Sequence, residues 1–427
     1  MSQRSICVIL WLLLISGGIC PAYGQAGLIF QRPRLTGSWG GFRNELAKNG
    51  ISVTSTFIGD GMANVQGGLQ RKVVFMDNWD LGLSVNANRL LGWQGGRIRF
   101  SILQNNGAQP SKYIGDVQTA NNIEAVRTFR IYEAWIQQNL LNNRLSLLAG
   151  VYDINFEFDY MESASLFLNS SQGIGGAIAA SGLAGPPTFP ATTPTIRLKV
   201  MPTSSFYAQA AVSDGAPGVK HVSWYPQENN GTFWITEAGF LTLGDQSELK
   251  GVDNRNHISC GVNANYLYKL AIGGWMYSRN FVKQRLGVAV PSGKNEKGFY
   301  LFFDLRSFAG LWESLDSLAW HAQLGVADNS LSRMHLFWNT GITYQNFPWD
   351  ADGVAGFSVS AVQNSKVYNE LYSGKHPNYE VALEWTYRTA VTSWLNIQPD
   401  IQQIINPGMA PKVKNALVLG LQTEFRL

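Results

Sequence analysis

Polar and aromatic side chains that could bind a sugar recur on two segments of this sequence. Arginine presents paired donors in one plane, which suits two neighbouring hydroxyl groups, and an aromatic ring can cover an apolar C–H face. The candidates share one side of two predicted strands and are Arg97, Arg99, Glu133, Trp135 and Gln137. Each of them is a candidate solute contact, and each could equally be an ordinary polar residue of a solvated wall.

A third group of candidates lies in the longest predicted loop, Asn155–Pro194. The loop begins with acidic and aromatic residues and then becomes small and apolar. Side chains such as Leu166 and Phe167 are unfavourable in open water, so we expect the loop to fold into the protein interior and narrow any channel there. The alternative is a flexible surface loop. The candidate contacts within it are Glu157, Asp159 and Glu162.

The charge pattern favours a neutral polar solute, because acidic residues accompany the arginines and an anion-selective constriction would need an excess of Lys and Arg. A net charge of +4 over 427 residues is too small to suggest a nucleic-acid partner. None of the 5 His lies in a nucleophile elbow or a Ser/His/Asp arrangement. No pair of Cys, or of Cys and His, has the spacing of a zinc site. We therefore expect no catalysis, no metal and no cofactor.

Strands must position these residues, and the segment Asn415–Leu427 shows the pattern most clearly. One face of this segment is apolar and carries Leu417, Leu419, Leu421, Phe425 and Leu427. The other face, which includes Gln422, Glu424 and Arg426, is largely polar. Because side chains alternate along a strand, such a segment suits a sheet that has lipid on one side and water on the other.

The same two-residue period recurs along the chain. It is clearest in Ile51–Asp60, Asn78–Ala87, Arg97–Gln104, Tyr379–Arg388 and Leu395–Gln402. Short turns are predicted at Leu140–Arg144, Pro202–Ser205 and Ala390–Ser393, and long loops at Asn106–Val126, Asn155–Pro194, Asp214–Gly231 and Phe281–Lys297. The pattern predicts an all-β fold, a transmembrane antiparallel β-barrel of about 16 strands with an aqueous channel. No strand can be placed with certainty between Leu241 and Tyr268. A soluble sheet with one wet face is the alternative.

The N-terminal residues predict export from the cytoplasm. Residues 1–24 contain Arg4, the apolar run Ile6–Ile15 and small residues at a cleavage point around Gly24, which together form a secretory signal peptide. The apolar run is shorter than the roughly 20 residues that a spanning helix needs. Residues 25–50 are predicted to form a periplasmic segment with a short helix within Leu35–Gly50. Residues 51–427 are predicted to form the barrel.

Four stretches together resemble the carbohydrate-selective porin (OprB) family of bacterial outer membranes. They are Leu35–Gly41 (LTGSWGG) followed by Arg43, Gly150–Phe158 (GVYDINFEF), Gln398–Gly408 (QPDIQQIINPG) and Asn415–Gly420 (NALVLG). The resemblance implies a sixteen-stranded porin that admits glucose and other sugars, with an inward third loop and arginines near the constriction. The family commonly ends on Phe, whereas this chain ends on Leu427. The alternation persists to that residue, so we expect the barrel to assemble.

The expected function is passive diffusion of carbohydrates such as glucose across the bacterial outer membrane. The expected partners are small neutral sugars, outer-membrane lipid and the barrel-assembly machinery, while a homo-oligomer is left open and nucleic acid is not expected. Three alternatives belong to other classes of protein: a general diffusion porin for small polar solutes, an outer-membrane barrel hydrolase, and a secreted binding module.

Overall fold

The structure is a computed structural model that describes residues 32–218, 231–243, 266–285, 288–308, 315–370 and 377–427. The predicted signal peptide, residues 1–24, lies outside the described residues. So do residues 244–265, which make up most of the segment in which no strand could be placed.

Sixteen antiparallel strands run through the described residues and form a closed barrel, which confirms the predicted fold. Their bounds are β1 Ile51–Gly68, β2 Lys72–Asn86, β3 Gly96–Gly107, β4 Thr128–Leu140, β5 Leu145–Tyr152, β6 Thr193–Val200, β7 Phe206–Asp214, β8 Thr232–Leu243, β9 Tyr266–Arg285, β10 Val288–Leu305, β11 Leu318–Ala327, β12 Met334–Phe347, β13 Asp350–Asn364, β14 Tyr379–Thr392, β15 Leu395–Ile405 and β16 Lys414–Arg426. Each strand pairs with its neighbours in the chain, and β1 pairs with β16 from Thr56 opposite Arg426 onwards. Closure leaves no unpaired strand edge.

The outer face of the barrel is apolar and the inner face carries most of the polar side chains. In β16 the outward Leu419 and Leu421 are 41% and 49% exposed, whereas the inward Val418 and Gln422 are buried. Outward aromatic residues such as Trp385 extend this apolar surface to other strands. An apolar surface of this extent suits contact with hydrocarbon rather than water.

Short turns close one end of the barrel, which is the periplasmic end in outer-membrane barrels. The turns predicted at Leu140–Arg144 and Pro202–Ser205 lie between β4 and β5 and between β6 and β7. The third predicted turn is shifted and occupies residues 393–394. At this end, Leu35 N donates to the Arg426 carbonyl (2.9 Å), which joins the N-terminal segment to β16.

The predicted long loop Phe281–Lys297 is wrong. Strands β9 and β10 continue instead as one hairpin, which pairs up to Arg285 opposite Val288. Ladder hydrogen bonds join backbone groups and do not require apolar side chains, so a strand can continue after its hydrophobic alternation has faded. The polar residues in this part of the sequence therefore mark where the apolar alternation ends, while the strands themselves continue.

The helices are short and lie outside the sheet. They are α1 Phe42–Lys48, α2 Ala87–Leu91, α3 Ser111–Ile114, α4 Ser170–Gly173, α5 Gly176–Ala179 and α6 Lys366–Asn369. Helix α1 lies within the segment predicted to be helical but is shorter than that segment. Among the described residues, no helix is both long and apolar enough to cross a membrane.

Two long loops fold into the barrel. We call residues 108–127, between β3 and β4, loop L2, and residues 153–192, between β5 and β6, loop L3. L3 buries Phe158, Met161 and Ile178 against the inner wall, as its apolar composition predicts. L2 packs Ile114 and other apolar residues into a second buried cluster, and its inward course was not predicted.

A charge placed on the outer face tests the lipid-facing assignment. We expect Leu421→Arg to lower the free energy of unfolding by about 2–4 kcal/mol, because the guanidinium would lie in hydrocarbon. Leu141→Arg, in the exposed turn between β4 and β5, is the matched control and should cost about 0–1 kcal/mol near the interface. Urea unfolding in lipid vesicles, followed by tryptophan fluorescence, measures both. Equal losses for the two variants would contradict a lipid-facing β16.

Candidate channel constriction

L3 crosses the lumen from β5 to the opposite wall. It contacts β8 at Asp159, whose backbone N–H donates to Glu237 (2.9 Å). It reaches β15 at Leu166, whose carbonyl accepts a hydrogen bond from Gln398 Nε2 (2.7 Å). It returns along β12, where Asn339 Nδ2 donates to the Ser171 carbonyl (3.0 Å). The loop is therefore fixed to several sides of the barrel.

Carboxylates of the inner wall hold the backbone of L3. Asp304 on β10 accepts hydrogen bonds from the backbone N–H of Glu162 (2.7 Å) and from the Ser163 hydroxyl. Glu384 on β14 accepts from the backbone N–H groups of Leu168 (2.5 Å) and Asn169 (3.2 Å). A buried backbone N–H without an acceptor would be costly, so these contacts hold the loop in place.

L2 is held by the same kind of contact. Glu380 on β14 accepts hydrogen bonds from the backbone N–H groups of Val117 (3.0 Å) and Gln118 (3.0 Å). On β1, Asp60 accepts from Asn121 Nδ2 (2.6 Å). The two loops also touch each other, since Ser170 N donates to the Thr119 carbonyl (2.9 Å). L2 and L3 together therefore narrow the lumen.

Glu157 is a predicted candidate that lies in a buried ion-pair cluster. Its carboxylate is 2.7 Å from Arg197 Nε and 3.3 Å from Lys199 Nζ, and it accepts a hydrogen bond from the Tyr152 hydroxyl (2.9 Å). Burial alone would raise the pKa of Glu157, but the two cations outweigh it and lower that pKa to about 2. Glu157 therefore stays ionised and secures the entry limb of L3.

Asp159, two residues further on, joins the two limbs of L3. Its carboxylate accepts hydrogen bonds from Gly175 N (2.8 Å) and from Gln323 on β11. Burial, opposed by the hydrogen bond from Gly175 and assisted by the nearby charge of Glu237, raises the pKa of Asp159 to about 7. Asp159 is almost fully buried, so its role in this structure is to hold the loop.

The candidates on β4 support the wall. Trp135 packs edge-on against Tyr152 (6.3 Å between ring centroids), and its indole N–H donates to Glu133 (2.8 Å). Gln137 is fully buried and accepts a hydrogen bond from Arg197 (3.0 Å). These side chains fall on the inward face, as the alternation predicts. Their burial leaves little surface for a solute, so they line the wall without facing open water.

Arg97 and Arg99 lie on β3, and within the described part of the chain no hydrogen bond or ion pair joins either of them to L2 or L3. Arg99 lies between two carboxylates, with its Nε 3.1 Å from Glu133 and its Nη2 3.7 Å from Asp80. It also donates to the Ser84 hydroxyl (2.9 Å). The side chain of Asp80 is 27% exposed. Arg97 is the second residue of β3, lies near the short-turn end and is partly exposed. These residues form a charged wall that water can reach.

Glu162 is the predicted loop candidate that remains partly exposed. Its carboxylate accepts a hydrogen bond from the Tyr160 hydroxyl (2.7 Å). Tyr160 is also partly exposed, and its carbonyl accepts a hydrogen bond from Lys269 Nζ (3.2 Å). Arg97, Arg99 and Glu162 are therefore the sequence candidates that retain exposed surface in this structure.

Sequence reasoning missed the residues that hold L3. Arg197 and Lys199 alternate with outward Ile196 and Leu198 in β6, so a strand prediction over residues 193–200 would have placed both cations on the inner face. No local signal links them to Glu157, because the loop brings that carboxylate to them only after folding. The partners Glu237, Asp304 and Glu384 are missed for the same reason.

The closed barrel, its apolar exterior and its charged interior with an inward loop define an outer-membrane porin. A family model described as carbohydrate-selective porin, OprB family, matches residues 71–427. The chain therefore belongs to the carbohydrate-selective porin (OprB) family and is an outer-membrane channel rather than an enzyme. This confirms the resemblance on which the sequence expectations partly rest.

Similar proteins extend along nearly the whole chain. Porin B of Pseudomonas aeruginosa is 23% identical over 437 aligned residues, which cover 91% of this chain and 90% of that protein. The high-pH structure of Pseudomonas putida OprB has a TM-score of 0.74 at 18% identity and covers 93% of this chain and 99% of its own. Its low-pH structure has a TM-score of 0.57 at 17% identity, with the same coverage. At these identities the two solved structures support the fold.

The buried ion pair between Arg197 and Glu157 gives a stability prediction. We expect Arg197→Met to lower the free energy of unfolding by about 3–5 kcal/mol, because Glu157 would keep its burial and lose its closest cation. Urea unfolding in detergent measures the change. Lys48→Met, which removes the exposed pair with Glu45, is the control and should change that free energy by at most about 1 kcal/mol. Similar values for both variants would show that the buried pair does not secure L3.

Proposed function

We propose that this porin conducts small neutral sugars such as glucose by passive diffusion through the gap between L3 and the wall formed by β1–β3. The observation that carries the proposal is the charge balance of this wall. Arg99 lies 3.1 Å from Glu133 and 3.7 Å from Asp80, and Arg97 adds a second cation on the same strand. Two cations against two carboxylates leave little net charge, so the wall does not concentrate ions of either sign and leaves the passage open to neutral polar solutes.

A sugar passing this wall exchanges hydrogen bonds with water for hydrogen bonds with fixed polar groups. The guanidinium groups of Arg97 and Arg99 donate, and the carboxylates of Asp80 and Glu162 accept. Fast passage needs several weak contacts in place of one tight site, because a tightly bound solute leaves slowly. Partly exposed groups on both the wall and the loop edge supply such contacts.

The partner proposals follow from the outer surface. The apolar outer face fits outer-membrane lipid, and β16, with its alternation intact to Phe425, fits delivery by the barrel-assembly machinery. A homo-oligomer stays a prediction, because a lipid-facing surface and a subunit interface have similar composition.

Solute uptake by proteoliposomes tests the proposed selectivity. We expect swelling to be faster with glucose than with an amino acid of similar size, because the latter carries charges that the wall does not favour. Liposomes without protein give the background rate. Equal rates for the two solutes would reduce the protein to a general diffusion porin.

The two wall arginines give a second test. We expect the double variant Arg97→Ala, Arg99→Ala to admit larger solutes several-fold faster, because two long side chains leave the wall. We also expect a higher preference for cations, because Asp80 and Glu133 would lose their countercharge. Reversal potentials in planar bilayers under a salt gradient measure the second effect. Arg89→Ala, in the exposed helix α2 that follows β2, is the control. If the double variant behaved like this control, Arg97 and Arg99 would not belong to the constriction.

A further inference from the structure

Glu237 on β8 is a carboxylate of the inner wall that holds L3 with both of its oxygens occupied. Its Oε1 accepts hydrogen bonds from the Tyr207 hydroxyl (2.7 Å) and Gln209 Nε2 (3.1 Å), and its Oε2 accepts from Asp159 N (2.9 Å) and the Tyr300 hydroxyl (2.7 Å). Lys269 Nζ lies 3.9 Å from Oε1. One side chain thereby connects L3 to β7, β8, β9 and β10.

The backbone of Asp159 needs such support. Its φ of 54° lies in the left-handed region, which non-glycine residues enter at a cost and keep only when their surroundings hold them there. Its N–H is bound by Glu237, and its side chain reaches Gly175 on the return limb of L3. Loss of the hydrogen bond from Asp159 N would therefore disturb both limbs of the loop.

The position of the hydrogen bond from Asp159 N to Glu237 determines which part of L3 it holds. Asp159 directly precedes Tyr160–Glu162, where the side chains of Tyr160 and Glu162 are partly exposed. Asp304 holds the loop just after that segment, at Ser163. The edge of L3 is therefore held on both sides, and Glu237 holds the side at which the loop enters the lumen.

We propose that Glu237 is a positioning residue for solute passage, which fixes the edge of L3 and thereby sets the width and steadiness of the channel. The inference rests on the proposed function, because it assigns the loop edge to the constriction. A neutral amide at this position would offer one acceptor oxygen in place of two and would no longer attract Lys269. The entry limb of L3 would then exchange between its present position and displaced ones.

Single-channel recording of the full chain in planar bilayers tests this inference. We expect Glu237→Gln to raise the frequency of transitions between current levels about tenfold, since the lost charge-assisted hydrogen bond no longer adds to the barrier against displacement of L3 and its free energy corresponds to about that factor. We also expect liposome swelling to show that Glu237→Gln admits larger solutes than the parent protein. Glu237→Asp, which keeps the charge but shortens the reach, should give an intermediate frequency. Glu424→Gln, which removes an inward carboxylate of β16 paired with Arg426, is the matched control and should stay as steady as the parent protein.

Folding is checked by heat-modifiable migration on gels and by the urea midpoint. If Glu237→Gln does not assemble, Tyr300→Phe removes one hydrogen bond to the same carboxylate and should raise the transition frequency in the same direction. The inference would be overturned if assembled Glu237→Gln or Tyr300→Phe showed the same transition frequency and the same solute size limit as the parent protein. If the parent protein took up glucose and an amino acid at equal rates, the proposed selectivity would be refuted. The single-channel test of Glu237 would still stand, because it measures ion currents.

Discussion

Backbone N–H groups that enter a crowded lumen need acceptors, and this requirement organises the interior of the barrel. L2 and L3 each bring a run of polypeptide out of bulk water, where an unpaired donor is costly. Glu380 supplies acceptors for L2, and Glu237, Asp304 and Glu384 supply them for L3. The inner wall thus supplies the carboxylate oxygens that hold both loops.

The same arrangement divides the lumen into two regions. Where L3 packs on β8–β10, the inward side chains include Phe233, Trp275 and Phe302, and this side is a buried apolar core. On β2 and β3 the inward side chains include Asp80 and Arg99, and this side retains exposed polar surface. Packing on one side and charge on the other support the proposed route for solute next to β1–β3. The channel is therefore narrower than the barrel that encloses it.

The sequence predicted the strands of the barrel well, but it predicted the course of the loops inside the barrel only in part. The two outcomes have different physical reasons. Alternation in segments such as Leu395–Gln402 reflects the contrast between lipid and water at every second residue, so faces and strands can be read locally. The inward course of L3 was predictable because Leu166 and Phe167 avoid water. L2 lacks such a run: Ile114 and Ile123 are separated by polar residues, and only the fold shows that they are buried together.

Contacts between distant parts of the chain were beyond sequence reasoning. The inward face of Trp135 was predicted, but its burial depends on Tyr152 and on the start of L3. Glu157 was expected to line the channel, yet Arg197 draws it into the wall. The hydrogen bond between Ser170 and Thr119 has a wider consequence. It couples the two loops mechanically, so a change in the length of one loop would shift the point at which the other is held.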